Sequence, residues 1–353
     1  MRRWITAGGL AVCLAVCLAA QGPAGETQAP SGAAGGRAGG RGAGQQGPPP
    51  THANLDYAPA EPATSVGHKL DLYIPTGSTS TRPMPVVIWT GGSAWRAENG
   101  KNTAGGVALQ LNPAGWVVAG VSIRNSQTVR FPGQLHDIKA AIRWLRANAT
   151  TYNFDPNRVA IMGDSSGGWT TAMAAMTGDV PELEGLVGTT GVSSAVRAAV
   201  AFYPPTNFVD MDRWMLAPCR DAECHDSSGS PESQLLGCAI QGCNDRVQAA
   251  NPARYITAAD PPIMILHGGS DQLVPHNQGE QFYMALNKAC HTATFISLPT
   301  ARHGPWNAFL TNDATRAAAT MRSTTTSRCA VTHPAPFMPS WQTVIDFLNQ
   351  HVK

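Results

Sequence analysis

Short apolar runs alternate with helix-like segments along most of this 353-residue chain, and this alternation constrains its fold more than any other feature. Uninterrupted apolar runs, such as VVIW after Pro85, are typical of strands that are covered on both faces. Parallel strands joined by helices provide such covers, and a hydrophobic content of 43% is enough for one large core. The sequence therefore predicts an α/β fold with a mostly parallel central sheet and helices on both faces.

The predicted elements begin near residue 70. Amphipathic spacing marks two helices, Gly133–Ala149 and Ser340–Val352. Ligands bind at the carboxyl ends of parallel strands, so the residues directly after each strand are the candidates for chemistry. The expected strands are Leu70–Pro75, Pro85–Gly92, Gly115–Ile123, Val159–Met162, Ala198–Pro204, Pro261–Asp271 and Ala293–Pro299.

Residues 1–20 have the pattern of an export signal. Arg2 and Arg3 precede an apolar stretch, Gly8–Ala20, that is short for a membrane span and ends in small residues. The arginine pair is compatible with both the general and the twin-arginine export route. Cys13 and Cys17 are alternative lipidation positions, but each follows a valine where a small residue is expected. We therefore expect a secreted or periplasmic protein without stable membrane insertion.

The segment after the signal, residues 21–54, is rich in Gly, Ala and Pro and is predicted to be a disordered linker. One folded domain is then expected over residues 55–353. Six cysteines remain, an even number that favours disulfides in an exported chain. Their connectivity stays open, although the loop between Cys238 and Cys243 and the insertion between Cys290 and Cys329 favour those two pairs.

The net charge of +2 and the lack of basic tracts argue against a nucleic-acid partner. No Cys/His spacing of the zinc type occurs, so neither a metal nor a cofactor is expected. The oligomeric state stays open.

The motif Gly163-Asp164-Ser165-Ser166-Gly167 fits G-x-S-x-G, with an apolar strand before it and an Ala/Met-rich helix after it. A sharp strand-to-helix turn exposes the central serine and requires small neighbours. The amides of the new helix then point towards the serine and can stabilise negative charge. Ser165 is therefore the predicted nucleophile, and Ser166 is its off-centre rival.

A serine hydroxyl needs a general base and a carboxylate that orients the base. Asp271 follows a buried strand, and His303 follows the next strand along the chain. The order Ser165, Asp271, His303 is that of α/β-hydrolases. His267 and His136 are weaker candidates for the base, and the alternatives for the acid are the carboxylates of "FVDMDRW", Asp210 and Asp212.

At these residues the chain resembles α/β-hydrolases of the esterase and lipase class, in the branch of bifunctional feruloyl and acetyl-xylan esterases. The most specific stretch runs from Phe131 to Ala175, and "SPESQLLG", "AANPARYI" and "HGGSDQLVPHNQGEQFYMAL" are also similar to that branch. The resemblance implies Ser165 as nucleophile, His303 as base and Asp271 as acid. It implies that the oxyanion hole consists of the amides of Ser166, Ser93 and Ala94.

The chain departs from this family's pattern at the oxyanion loop. The family has His-Gly-Gly followed by a small or aromatic residue and often Trp, where this chain has Gly91-Gly92-Ser93-Ala94-Trp95. The histidine that braces the loop is thus replaced by Gly91. Insertions are expected at Cys219–Cys243 and Gly304–Pro339, and the second follows the base, where it would form part of a substrate wall. Trp95, Trp214 and Trp306 are candidate substrate-stacking residues, with core or rim packing as their alternative role.

The sequence therefore predicts an exported, cofactor-free serine carboxylesterase that acts through a covalent acyl-enzyme. The resemblance implies short-acyl or feruloyl and acetyl esters of carbohydrates as substrates. One alternative is a polyester or other short-chain ester hydrolase with the same triad. An exported serine peptidase is another, although the short N-terminal segment lacks room for the propeller domain that usually accompanies one. The last is a non-catalytic binding protein on this fold, which would usually lack one triad member.

Overall fold

A computed structural model describes residues 47–76, 82–178, 180–220, 224–326 and 329–353. The predicted export signal at residues 1–20 and the linker residues 21–46 lie outside the described residues. The domain was expected to begin at residue 55. In the structure a strand at His52–Asp56 already pairs with the strand at Lys69–Tyr73. This edge strand is mostly exposed, so it lacks the apolar pattern by which the other strands were predicted.

Within these residues the chain forms eleven strands and nine α-helices. The strands are β1 His52–Asp56, β2 Lys69–Tyr73, β3 Met84–Thr90, β4 Val117–Val121, β5 Phe154–Asp164, β6 Ala198–Phe202, β7 Ile263–Gly268, β8 Ala293–Leu298, β9 Thr320–Thr325, β10 Ala330–Val331 and β11 Ala335–Pro336. The helices are α1 Ala104–Leu111, α2 Gly133–Ala147, α3 Ser166–Met176, α4 Pro231–Leu236, α5 Asn244–Ala249, α6 Asn277–Lys288, α7 Ala308–Thr311, α8 Asp313–Arg316 and α9 Trp341–Val352. None of these helices combines the length and the apolar composition that crossing a membrane requires.

One sheet contains all the described strands, in the order β1-β2-β4-β3-β5-β6-β7-β8-β9-β10, with β11 also beside β9. The six strands from β4 to β8 in this order are parallel, whereas β1, β2 and β9 pair antiparallel with their neighbours. The predicted α/β class with a mostly parallel sheet is confirmed. Since β5, β7 and β8 run in the same direction, their carboxyl ends share one edge of the sheet.

Successive residues of β3 face opposite sides of the sheet. Val86 and Ile88 belong to a core with α2, α3 and α6, while Val87 and Trp89 belong to a second core with α1 and α9. All four side chains are fully buried, and each such burial stabilises the fold by about 1.5–3 kcal/mol. Two covered faces explain why the strand sequences are uninterrupted apolar runs.

The insertion after the predicted base is largely built into the sheet. Its strand β9 pairs antiparallel with β8, with Thr294 opposite Ser323, and so extends the sheet beyond β8. Phe309 in α7 is fully buried in the core shared with α9. Much of this segment therefore serves as an edge of the fold.

Three disulfides join the six cysteines that follow the predicted signal. The bonds Cys238–Cys243 and Cys290–Cys329 match the favoured pairs, and the third is Cys219–Cys224. The longest connection is Cys290–Cys329, with a sequence separation of 39.

Removal of the Cys290–Cys329 bond by the double substitution to serine is expected to destabilise the protein most. Closing a loop of 39 residues removes denatured-state entropy worth about 4 kcal/mol, against about 2 kcal/mol for a separation of five. Urea denaturation of this variant and of the Cys238→Ser/Cys243→Ser control measures both losses. Equal losses would show that loop length does not determine the contribution of these bonds.

Candidate active site

The turn between β5 and α3 contains a single residue, Ser165. Its φ of 55° and ψ of −125° lie in a region that a serine adopts at a cost of about 1–3 kcal/mol. The Ser165 amide donates a hydrogen bond of 3.0 Å to the carbonyl of Phe202 at the end of β6, which ties the turn to the neighbouring strand. A strained conformation held by its surroundings in this way is typical of functional turns.

Close backbone approaches explain the glycines around this turn. A Cβ atom on Gly163 would lie 2.4 Å from the carbonyl oxygen of Gly167, and one on Gly167 would lie 2.0 Å from the carbonyl oxygen of Thr90. Neither backbone can accommodate a methyl group at such distances. The turn and the neighbouring strand β3 therefore require glycine at both positions.

The side chains of Ser165, His303 and Asp271 form a continuous hydrogen-bonded chain. His303 Nε2 lies 3.0 Å from Ser165 Oγ, and His303 Nδ1 lies 2.8 Å from Asp271 Oδ2. With its proton on Nδ1, the imidazole donates to the carboxylate and offers Nε2 as an acceptor for the serine proton. The structure thus brings together the three residues predicted from the ends of β5, β7 and β8.

The Asp271 carboxylate is fully buried but well supplied with donors. Its Oδ1 accepts hydrogen bonds of 2.9 Å from the amides of Leu273 and Val274. Burial raises the pKa of Asp271, but the hydrogen bond and charge of His303 outweigh burial and hold that pKa below its ordinary value. A carboxylate that is ionised at neutral pH can orient and stabilise an imidazolium.

The rival histidines lie in other environments. His267 is fully buried, its Nε2 donates to the carbonyl of Val274 at 3.0 Å, and burial lowers its pKa to about 4. His136 lies on α2, where burial also lowers its pKa. Within the described residues, neither ring contacts Ser165.

The rival carboxylates are engaged elsewhere. Asp210 Oδ2 accepts a hydrogen bond of 2.7 Å from the side-chain amide of Asn207. Asp212 accepts hydrogen bonds of 2.8 Å from the amides of His225 and Asp226. Neither carboxylate contacts His303 in the described part of the chain.

Tyr203 is a site residue that the sequence analysis missed. It follows β6 with a φ of 38°, its ring centre lies 4.6 Å from that of His303, and its hydroxyl donates to Asp164 Oδ2 at 3.0 Å. Burial raises the pKa of Tyr203 well above 10, so the hydroxyl keeps its proton. The available signal was its position near the carboxyl end of the predicted strand Ala198–Pro204.

The three predicted oxyanion donors differ in their hydrogen bonds. The Ser93 amide donates to Ser166 Oγ at 2.9 Å. Ser166 is the first residue of α3, so its own amide has no partner within the helix. Ala94 has a φ of 52°, and its amide has no acceptor among the residues described. Within the described residues, the amides of Ser166 and Ala94 are therefore free to donate, whereas the amide of Ser93 is engaged.

Two of the three predicted stacking tryptophans, Trp95 and Trp306, offer little surface, whereas Trp214 is 38% exposed. Trp95 is 3% exposed, and its ring lies 5.3 Å from that of Trp169. Trp306 is half-buried, with its ring centre 4.5 Å from that of Trp89. These contacts favour the alternative packing role for both residues.

Described residues of the insertion, within 224–243, contact two loops of the site. The Arg96 guanidinium, next to the oxyanion loop, donates to the carbonyl of Gly229 at 3.1 Å. His225 Nε2 donates to the carbonyl of Leu273, two residues after Asp271, at 2.9 Å. These hydrogen bonds join the insertion to the oxyanion loop and to the loop of the acid.

The contacts of His225 predict a pH-dependent contribution to stability. Its Nδ1 lies 3.0 Å from Glu232 Oε2, so both ring nitrogens face acceptors and the charged imidazolium satisfies both. Burial lowers the pKa of His225, but Glu232 outweighs burial and the net shift is upward. A raised folded pKa stabilises the protein below the ordinary histidine pKa of about 6.5, and this stabilisation is lost as the pH rises through the folded value.

The His225→Gln variant should therefore lose most stability, relative to the unchanged protein, at low pH. Urea denaturation of both proteins from about pH 6 to about pH 9 should show a difference in unfolding free energy that shrinks with rising pH. A difference that stays constant over this range would mean that His225 is not charged in the folded protein.

One group of potential metal ligands occurs among the described residues. Asp212, Cys219 and Cys224 place ligand atoms within 4.8 Å of one another. The two sulfurs form a disulfide and thus cannot act as thiolate ligands.

A model of the BD-FAE family matches residues 70–286. This chain belongs to the BD-FAE family. The predicted resemblance to the feruloyl and acetyl-xylan esterase branch and the predicted α/β-hydrolase fold are thereby confirmed.

Solved structures similar to this BD-FAE family member include a truncated carbohydrate esterase from gut microbiota. That chain is 32% identical with a TM-score of 0.65, and the match covers 74% of this chain and 93% of that one. A bifunctional GH43-CE protein of Bacteroides eggerthii is 34% identical with a TM-score of 0.63, over 72% of this chain and 36% of that one.

Curated relatives of this BD-FAE family member include the esterase LipQ of Mycobacterium tuberculosis. LipQ is 28% identical over 237 residues, which cover 66% of this chain and 53% of LipQ. The chain thus spans about half the length of the curated relatives it matches. The names of these relatives agree with the sequence-based prediction of an ester hydrolase.

Proposed function

We propose that this protein is a serine carboxylesterase that removes acetyl or feruloyl groups from carbohydrate esters. The hydrogen-bonded chain from Ser165 through His303 to Asp271 is the observation that carries this proposal. Ester hydrolysis needs a nucleophile, a base and an orienting acid in this sequence of contacts. The chemistry proposed requires no metal or cofactor.

In the acylation step, Ser165 Oγ attacks the ester carbonyl carbon while His303 Nε2 takes the hydroxyl proton. The carbonyl oxygen becomes an oxyanion, which the amides of Ser166 and Ala94 stabilise. His303 then donates the proton to the alcohol oxygen as the bond between carbon and that oxygen breaks. The products of this step are the free alcohol and an acyl group on Ser165.

In the deacylation step, a water molecule replaces the alcohol. His303 takes a proton from the water, and the resulting hydroxide attacks the acyl carbon to form a second oxyanion. Collapse of this intermediate returns the proton to Ser165 Oγ and releases the carboxylic acid. Asp271 stabilises the His303 imidazolium in both steps and remains ionised.

The carbohydrate ester as substrate is supported by the relatives at 32% and 34% identity, which bear the names carbohydrate esterase and GH43-CE. Export is supported by three disulfides, since such bonds persist in oxidising compartments. Mass spectrometry of the protein from its native compartment, without reduction, tests both the disulfides and removal of residues 1–20.

The activity is tested by initial rates on p-nitrophenyl acetate, p-nitrophenyl octanoate, methyl ferulate and acetylated xylan, with a peptide p-nitroanilide for comparison. We expect turnover of acetyl and feruloyl esters and release of acetate from the polysaccharide. Turnover of the acetate ester without release from xylan would retain the esterase but contradict the carbohydrate substrate. Turnover of the anilide alone would favour the peptidase alternative.

A further inference from the structure

Two consecutive amides of the oxyanion loop are held by the two side chains that flank Ser165. The Gly92 amide donates to Asp164 Oδ1, and the Ser93 amide donates to Ser166 Oγ, each at 2.9 Å. The loop itself cannot supply this support at its start, because Gly91 has no side chain. Asp164 and Ser166 are thus the groups that connect the loop to the nucleophile turn.

We propose that Asp164 and Ser166 are positioning residues that hold the oxyanion loop against the nucleophile turn and keep the Ala94 amide aimed at the reacting carbonyl. This inference rests on the proposed function, and it concerns which residues set the geometry of the oxyanion hole. Ser166 would contribute in two ways. Its amide would donate to the oxyanion, and its hydroxyl accepts the hydrogen bond that holds the loop carrying the Ala94 amide.

The conformation of the loop explains why it needs such support. Ala94 and Trp95 both have a positive φ, 52° and 53°, which costs about 1–3 kcal/mol for each residue without a glycine. Such a conformation persists only where surrounding contacts fix it. The hydrogen bonds at Gly92 and Ser93 lie directly before these two residues and hold the chain at the entry to the strained segment.

Asp164 also links the loop to the general base. Its Oδ2 accepts the hydrogen bond of Tyr203, whose ring packs on that of His303. One carboxylate therefore connects the oxyanion loop, the nucleophile turn and the surroundings of the base. Displacement of Asp164 is expected to affect all three at once.

Asp164 holds this position at a cost in stability. Burial raises the pKa of the Asp164 carboxyl, although the hydrogen bonds of Gly92 and Tyr203 and the charge of His303 oppose the shift. A raised folded pKa means that the folded state binds more protons than the unfolded state, so stability falls as the pH rises from the ordinary aspartate range through the folded value. A residue retained for packing alone would not carry this penalty.

The test compares Ser166→Ala and Asp164→Ala with a matched control, Ser194→Ala. Ser194 is also buried, and its hydroxyl donates a hydrogen bond of 2.7 Å to Glu184. It precedes the amino end of β6, whereas Tyr203 follows the carboxyl end of that strand. We expect kcat on p-nitrophenyl acetate to fall by about tenfold to a hundredfold in the first two variants, with KM little changed. The control should keep its kcat even if its thermal midpoint falls.

A fluorophosphonate probe separates this inference from the proposed function. Ser165 Oγ forms a bond to phosphorus, fluoride leaves, His303 takes the serine proton, and the phosphoryl oxygen occupies the oxyanion hole, so no ester substrate is needed. We expect the second-order labelling rate to fall by the same factor as kcat in both variants. Labelling of Ser166→Ala and Asp164→Ala at the rate of the Ser194→Ala control would overturn the inference, whatever the protein does to esters.

Asp164→Asn distinguishes positioning from a general loss of structure. Its side-chain carbonyl can still accept from the Gly92 amide, and the carboxylate charge is gone. We expect this variant to label faster than Asp164→Ala and to unfold at a higher temperature than the unchanged protein at neutral pH. If it labels no faster than Asp164→Ala, the hydrogen bond to the loop is not what Asp164 contributes.

Discussion

The Ser165→Ala variant is expected to lose essentially all ester hydrolysis, with a fall in kcat on the order of 10⁶, as for loss of the nucleophile in other serine hydrolases. The alanine leaves His303 and Asp271 in place but removes the oxygen that lies 3.0 Å from His303 Nε2. Initial rates on p-nitrophenyl acetate measure the effect. The thermal midpoint should stay nearly unchanged, because alanine has the same backbone restriction at a φ of 55° as serine.

The Ser166→Ala variant is the control for the identity of the nucleophile. Ser166 Oγ accepts the hydrogen bond of the Ser93 amide, and the His303 ring contacts Ser165 instead. We therefore expect a far smaller loss for Ser166→Ala than for Ser165→Ala. The reverse ranking would assign the nucleophile to Ser166.

The Asp271→Asn variant is expected to show the second-largest loss, about 10⁴ in kcat. Asp271 Oδ2 accepts the proton on His303 Nδ1, whereas an asparagine NH₂ group at this position would donate to that nitrogen. The imidazole would then carry its proton on Nε2 and could not accept the proton of Ser165. The pH dependence of kcat and KM for this variant, measured on p-nitrophenyl acetate, checks the loss.

Matched controls for Asp271 are the two other carboxylates that the sequence offered. Asp210→Asn and Asp212→Asn remove carboxylates that bond to Asn207 and to backbone amides away from His303. We expect either substitution to leave kcat within about tenfold of the unchanged protein, as for residues that do not touch the reacting groups. A larger loss at Asp210 or Asp212 than at Asp271 would move the acid to the loop after β6.

The sequence allowed prediction of those parts of the fold and the site that depend on local patterns. Uninterrupted apolar runs marked the parallel strands, since these strands are covered on both faces. The glycines around Ser165 marked a turn in which backbones come too close for a Cβ atom. Asp271 and His303 could be selected because the carboxyl ends of parallel strands meet at one edge.

Other features depend on contacts between distant residues and leave no local pattern. The Ser93 amide donates its hydrogen bond to a side chain 73 positions later, so the sequence could not distinguish this amide from a free donor. The strands β1 and β9 have largely exposed or half-exposed residues and lack the apolar runs of the central sheet. The packing of Trp95 against Trp169 likewise becomes visible only in three dimensions.

The disulfide Cys238–Cys243 has a consequence for resistance to proteases. A protease must draw an extended stretch of chain into its cleft, and a ring closed over a sequence separation of five cannot extend. The bond contributes less to the global free energy of unfolding than Cys290–Cys329 does, but it removes the local unfolding on which nicking of a surface loop depends. The Cys238→Ser/Cys243→Ser variant should thus be cleavable within residues 238–243 while the parallel sheet is still folded. Such a cut would leave Ser165, His303 and Asp271 in place.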